Sequence, residues 1–275
     1  MLTPLRKVLG ETLLPIVDAV YPPRCPACSC SIGTQSGLCP DCWGSLVVPA
    51  EPGCVRCQRP MGTDAIGGEI VCAPCFQTPP RHDGIAAATL YGDTSRKLVL
   101  AYKHGRKLAL APLLARMIAA RLPEFTEPPL LVPVPLHRLR LWKRGFNQAA
   151  LLARELERLG RGELLVDGLV RRKATPSLGG MGAKARQRAL AGAIAARPGA
   201  RERLNGRDVV LVDDVLTSGA TSDACVAVLK RAGAERVVLA CFARVLDEAA
   251  APAGGRYKPV PKTETPGAEK APGAT

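Results

Sequence analysis

Val209-Val210-Leu211-Val212-Asp213-Asp214-Val215-Leu216-Thr217-Ser218-Gly219-Ala220-Thr221 joins an apolar run, two adjacent carboxylates and a loop of small and hydroxylated residues. An apolar run without alternation is what a strand covered on both faces requires, and that is the environment of a parallel sheet. The small-residue loop then opens a helix expected over 219–232. Outward from this unit the chain repeats the theme. Strands are expected at 85–91, 130–134, 208–212 and 236–242, with a weaker one at 163–166, and helices at 108–122, 146–159 and 219–232. Apolar runs alternating with helical stretches predict an α/β fold, a parallel sheet flanked by helices.

The same thirteen residues carry the strongest chemical signal. Ligands of open α/β sheets bind at the carboxyl ends of strands, where a helix N-terminus offers unpaired N–H groups and a favourable dipole to phosphate. Thr217, Ser218 and Thr221 supply hydroxyl donors, and Gly219 lets the backbone approach a ligand closely. Asp213 and Asp214 suit vicinal sugar hydroxyls or the water shell of Mg²⁺. The chain has no G-x-x-x-x-G-K-[ST] and no G-x-G-x-x-G after a strand, which argues against a P-loop NTPase and a dinucleotide-binding fold. A helix cap alone would need one hydroxyl, not two carboxylates and a hydroxyl-rich loop.

The net charge of the 275 residues is +14, and 133–207 holds 17 Lys and Arg against 5 Asp and Glu. One quarter of the chain thus carries nearly all the basic excess, which points to phosphate-bearing partners. Hydrophobic residues at 47% and charged residues at 23% exclude a disordered protein. Leu2, Leu5, Leu9, Leu13, Ile16, Val17 and Val20 predict an amphipathic helix within 1–22, while 249–275, rich in Ala, Pro, Gly, Lys and Glu, reads as a disordered tail. Arg6, Lys7, Glu11 and Asp18 interrupt the first segment, so neither a membrane span nor a signal peptide is expected and the chain reads as cytoplasmic.

Nine of the eleven cysteines lie within 25–75, and eight of them form four C-x-x-C pairs: Cys25/Cys28, Cys39/Cys42, Cys54/Cys57 and Cys72/Cys75. In a chain without an export signal such pairs are metal knuckles, and two knuckles complete the Cys₄ shell of a structural Zn²⁺. Neighbouring pairs give a tandem ribbon with loops of ten and fourteen residues between knuckles. Spacing also permits a cross-brace in which the first and third pairs share one ion. Cys30 reads as a bystander. Four thiolates leave zinc no open position, so these sites are expected to hold structure, in a module spanning 23–79 ahead of a domain spanning 80–248.

With these residues in view, the chain resembles type I phosphoribosyltransferases, whose phosphoribosyl pyrophosphate (PRPP) motif is similar to 209–221. Leu131-Val132-Pro133-Val134-Pro135-Leu136-His137, Arg144-Gly145-Phe146-Asn147-Gln148 and the double ribbon narrow the resemblance to the ComF family, with its GntX-type members, over about 5–245. The resemblance implies that Asp213 and Asp214 face the ribose hydroxyls and that Thr217, Ser218, Gly219, Ala220 and Thr221 hold the 5′-phosphate. It implies a pyrophosphate loop after Val134, with Arg138, Arg140, Lys143 and Arg144 beside it. It also implies a mobile basic loop over 171–188 that includes Gly179-Gly180, and Mg²⁺ bound with PRPP. The activity implied is phosphoribosyl transfer with release of Mg-pyrophosphate in a setting of DNA uptake. The alternative is a non-catalytic PRPP-fold protein that binds single-stranded DNA or competence partners, among them a competence helicase. Leu178, where the family has a polar residue, and Ala189 or Leu190, where an Asn often follows the arginines, depart from its pattern. His104 and His137 read as surface histidines, and no catalytic acid or base is assigned.

Overall fold

Alternation decides which way each strand side chain points, and the apolar runs here are long enough to fill both faces of a sheet. The computed structural model describes residues 22–34, 37–49, 51–62, 70–103, 107–174 and 183–246. The expected N-terminal helix, the C-terminal tail and His104 lie outside them. Strands β1 (Gly84–Leu90), β2 (Leu130–Pro133), β3 (Glu163–Leu164), β6 (Val209–Leu216) and β7 (Val237–Arg244) form one parallel sheet in the order β1-β7-β6-β2-β3. Val209 and Leu211 of β6, Val237 and Leu239 of β7, and Ile85 and Ala87 of β1 join one core cluster. Val210, Val212, Val238, Ala240, Ala86 and Ala88 join the cluster on the opposite face.

Helices α3 (Asp93–Lys103), α4 (Ala111–Ala119) and α6 (Gln148–Arg158) cover the second face through Leu98, Val99, Tyr102, Leu114, Ile118, Leu152 and Leu156. The first face is covered by helix α9 (Ala220–Arg231), by the antiparallel pair β4 (Leu169–Arg171) and β5 (Ile194–Ala196), and by α8 (Ala200–Leu204). Short helices α1 (Pro40–Gly44) and α2 (Ala73–Gln77) each begin at the last knuckle of a ribbon.

Each expected strand is present, with two changes. The weak strand shrinks to β3, and β6 continues past Val212, pairing Asp213 with Cys241 and Leu216 with Arg244. The acidic pair therefore lies within the strand, held by its ladder. The basic segment 171–188 is not loop throughout. Arg171 closes β4, and α7 (Ala183–Leu190) occupies its far end, because Ala, Lys, Arg and Gln all favour helix. Gly179-Gly180 lie outside the described residues.

The edge strand β1 would expose unpaired backbone groups, a surface prone to pairing with other chains. The ribbons cover it. Leu90 donates its N–H to the Val47 carbonyl at 2.6 Å, and Ala87 donates to Gln58 Oε1 at 2.9 Å. The cysteines of the second ribbon join the first-face core beside Ile85 and Ala87, while Ala27, Leu38 and Leu46 of the first ribbon pack on the opposite face. Arg121 adds a hydrogen bond to the Pro49 carbonyl.

Candidate functional site

The ladder that carries β6 through Leu216 fixes Asp213 and Asp214 at the carboxyl end of the central strand. Asp214 is buried and Asp213 partly exposed; the Asp214 N–H donates to Asp213 Oδ1 at 2.8 Å. Lys103, the last residue of α3, reaches Asp214 Oδ2 at 2.9 Å, with side-chain exposures of 10% and 9%. Tyr102 beside it donates its hydroxyl to the Gln148 carbonyl, tying α3 to the start of α6. Lys103 escapes sequence reasoning. The spacing of Leu98, Val99 and Tyr102 signals a helix, but nothing local names a partner more than a hundred residues away.

Burial, followed by the neighbouring Asp214, pushes the Asp213 carboxyl from its ordinary 3.8 up to about 7, with Lys103 pulling the other way. A carboxyl raised on folding contributes stability below its unfolded pKa and loses that contribution as pH rises through the folded value. Between about pH 4 and 7 the ligand-free fold therefore loses stability on account of Asp213, and above 7 it holds an ionised carboxylate against its burial. Asp213→Asn should raise the melting temperature at pH 8 by roughly 2–4 °C, about 1 kcal/mol, and by less at pH 5. A thermal scan of the ligand-free protein at both pH values checks this; a lowered melting temperature at pH 8 would contradict it.

After Leu216 the chain leaves the sheet through Thr217 and Ser218, both exposed, to Gly219 at φ 75°. That left-handed conformation favours glycine. Gly219 is the N-cap of α9, and no side chain caps the helix, so neither Thr217 nor Ser218 is occupied as a cap. Hydroxyls and first-turn N–H groups of Gly219, Ala220 and Thr221 thus share one loop beside the acidic pair, as anion binding requires.

Two further elements close on this end of the sheet. Asn147 caps α6 by accepting from the Ala149 N–H at 3.0 Å, and its Nδ2 donates to the Val134 carbonyl at 3.1 Å. It thereby fixes the loop that leaves β2. His137 caps α5 (Arg138–Arg144), its Nδ1 accepting from the Leu139 N–H, so its role is structural. Arg138 is exposed and Arg144 half-buried on that helix. Arg171 of β4, its guanidinium pushed down by burial and by Arg140, lies within electrostatic reach of Asp213. The fold thus brings Arg171 towards Asp213, with Arg140 beside Arg171.

The eight cysteines gather as neighbouring pairs. Cys25, Cys28, Cys39 and Cys42 form one cluster and Cys54, Cys57, Cys72 and Cys75 the other, with all ligand atoms of each within 4.8 Å of one another. Sulfur separations of 3.6 Å (Cys28 to Cys39) and 3.5 Å (Cys57 to Cys72) approach the edge of about 3.8 Å expected for tetrahedral Zn–S bonds of about 2.3 Å. The Cys42 and Cys72 N–H groups donate to Cys39 and Cys54 sulfurs, the support that a bound thiolate needs. Both donor sets fit Zn²⁺. The knuckles repeat in detail: Ser29 and Gln58 have φ of 66° and 54°, and Cys25 and Cys54 donate to the carbonyls of Cys30 and Arg59, both at 2.8 Å.

Residues 16–76 match the double zinc ribbon domain and 126–260 the phosphoribosyl transferase domain. The chain is similar to the DNA utilization protein YhgH of Escherichia coli (strain K12), 29% identical over 81% of this chain and 90% of the relative. It is also similar to Competence protein F of Haemophilus influenzae, 28% identical over 75% of this chain and 96% of the relative. No helix among the described residues is long and apolar enough to cross a membrane. With both domains matched in this order and relatives matched over nearly their full length, the resemblance to the ComF family holds across both domains.

Proposed function

We propose that this protein binds PRPP with Mg²⁺ and transfers its phosphoribosyl group to a nitrogen nucleophile, releasing Mg-pyrophosphate. One observation carries the reading: the central strand holds Asp214 buried and Asp213 half-buried near its carboxyl end, and a glycine-led helix N-terminus without a side-chain cap follows the strand. The carboxylates would hold the ribose 2′ and 3′ hydroxyls, and the loop from Thr217 to Thr221 would hold the 5′-phosphate. Arg138 and Arg144, with Arg140, would take the charge that develops on departing pyrophosphate, a task of positioning and electrostatic stabilisation. Mg²⁺ would supply charge neutralisation on the pyrophosphate oxygens. Calorimetric titration of the zinc-loaded protein with PRPP and Mg²⁺, with ribose 5-phosphate as control, tests this. Saturable binding specific to PRPP is the expected result, and none at millimolar PRPP would reduce the fold to a scaffold.

The names of the relatives suggest a setting in DNA utilization and competence, and a second reading follows from α5. Trp142 is 88% exposed on this helix, among Arg138, Arg140 and Arg144. An exposed indole among cations suits bases of single-stranded DNA, with phosphates on the arginines. Trp142→Ala should weaken single-stranded DNA binding by about 1–3 kcal/mol. Changing Arg138, Arg140, Lys143 and Arg144 to Gln should reduce the slope of log K against log salt by about 0.7 for each phosphate that is no longer neutralised. A fluorescence titration at several salt concentrations reads both, and an unchanged slope would move the DNA surface elsewhere.

A further inference from the structure

The two knuckle pairs have one build, which makes their difference informative. The position taken by Arg59 in the second ribbon is taken by Cys30 in the first. Cys30 follows the ligand Cys28 by two residues in the same knuckle, so a fifth thiol stands next to the four that zinc takes. Exposure separates the clusters further. All four cysteines of the second are buried, whereas Cys28 and Cys30 of the first are both exposed. Thiolates oxidise according to exposure and to the presence of a second thiol beside them.

We propose that Cys28 and Cys30 form a peroxide-sensitive zinc switch in the first ribbon, with Cys30 as the resolving thiol. The oxidant is hydrogen peroxide. The Cys28 thiolate attacks one peroxide oxygen, the O–O bond breaks, and the departing hydroxide takes a proton to become water, leaving Cys28 as a sulfenic acid. Cys30 sulfur attacks that sulfur, the S–S bond forms, the S–O bond breaks, and the Cys30 proton leaves with the hydroxide as a second water. Two electrons pass from the two sulfurs to one peroxide. Zinc loses one of its four thiolates and is released from the first ribbon only.

The release reaches the sheet. The first ribbon contributes the Val47 carbonyl to Leu90 and Thr89 and the Ser45 hydroxyl to Thr94 at 2.7 Å. Thr94 stands in the first turn of α3, whose last residue is Lys103, the partner of Asp214.

The test uses the full zinc-loaded chain and hydrogen peroxide, with zinc followed by a chromogenic chelator and disulfides mapped by peptide mass. The untreated protein should hold two zinc ions. Peroxide should release one, with a Cys28–Cys30 disulfide in its place, and thiol reductant plus zinc should restore the second equivalent. Cys30→Ser, at an exposed position outside the ligand set, should still hold two zinc ions; under peroxide its Cys28 should pass to the sulfinic acid, so that the lost equivalent does not return. Cys30→Ala should behave alike. Recovery of either variant as in the wild type, a mapped disulfide that omits Cys30, earlier oxidation of the second ribbon, or a variant that holds one zinc before treatment would each overturn the proposal.

Discussion

Asparagine in place of both Asp213 and Asp214 should abolish measurable PRPP binding while each chain keeps its two zinc ions. The substitution preserves shape and removes charge. A hydrogen bond accepted by a carboxylate contributes about 1.5–3 kcal/mol, so losing two corresponds to a fall of roughly a hundredfold or more in affinity. Asp213→Asn alone should cost roughly ten- to a hundredfold by the same measure. Removing Asp214 charge also strands Lys103, so the comparison should include Lys103→Met in the same chain, which leaves no unpaired buried charge. Calorimetry gives the affinity, and zinc content with far-ultraviolet circular dichroism shows that the fold persists. Affinity within a few-fold of wild type in a folded variant would remove the acidic pair from the binding site.

Lys103→Met alone should be among the most destabilising single changes available. It leaves Asp214 at 9% exposure without a counter-charge, and breaking a buried pair from one side costs about 3–5 kcal/mol. The melting temperature should fall by roughly 10 °C on the scale of 2–4 °C per kcal/mol for a chain of this size. Adding Asp214→Asn should recover most of the loss, since both charges are then gone, and the non-additivity measures the coupling. A Lys103→Met protein that melts with the wild type would mean that the pair makes no contribution. The contrast with Asp213 is instructive: adjacent carboxylates on one strand carry opposite expectations, because only Asp214 has the lysine at bonding distance.

The sheet was legible because each strand announces itself in a continuous apolar run, as in Val209 to Val212 and Val237 to Phe242. The ribbons were legible because C-x-x-C spacing is itself the chemistry, although spacing left their pairing open and only the folded sulfurs decide it. Elements whose existence depends on tertiary partners were not legible. Strands β4 and β5 have three residues each and exist because they pair with one another over α9. Helix α5 carries Leu139, Leu141 and Trp142 exposed rather than one apolar stripe, so it leaves no periodic trace. Within the site, the loop and the acidic pair could be read from one continuous segment. Lys103 and Arg171 could not, because only the folded chain brings Lys103 to Asp214 and Arg171 towards Asp213 from distant parts of the sequence.

Among the described strands of this sheet the first pairs with the last, Gly84 of β1 opposite Val238 of β7. A ribosome that makes the chain from its N-terminus delivers both ribbons and β1 long before β7 exists. During that interval one margin of β1 waits for its partner, and the other is already occupied by Val47 and Gln58 as soon as the cysteines have closed on their ions. The ribbons thus stand where they would shield the nascent strand, and a chain made without zinc is expected to present both margins of β1 until β7 arrives.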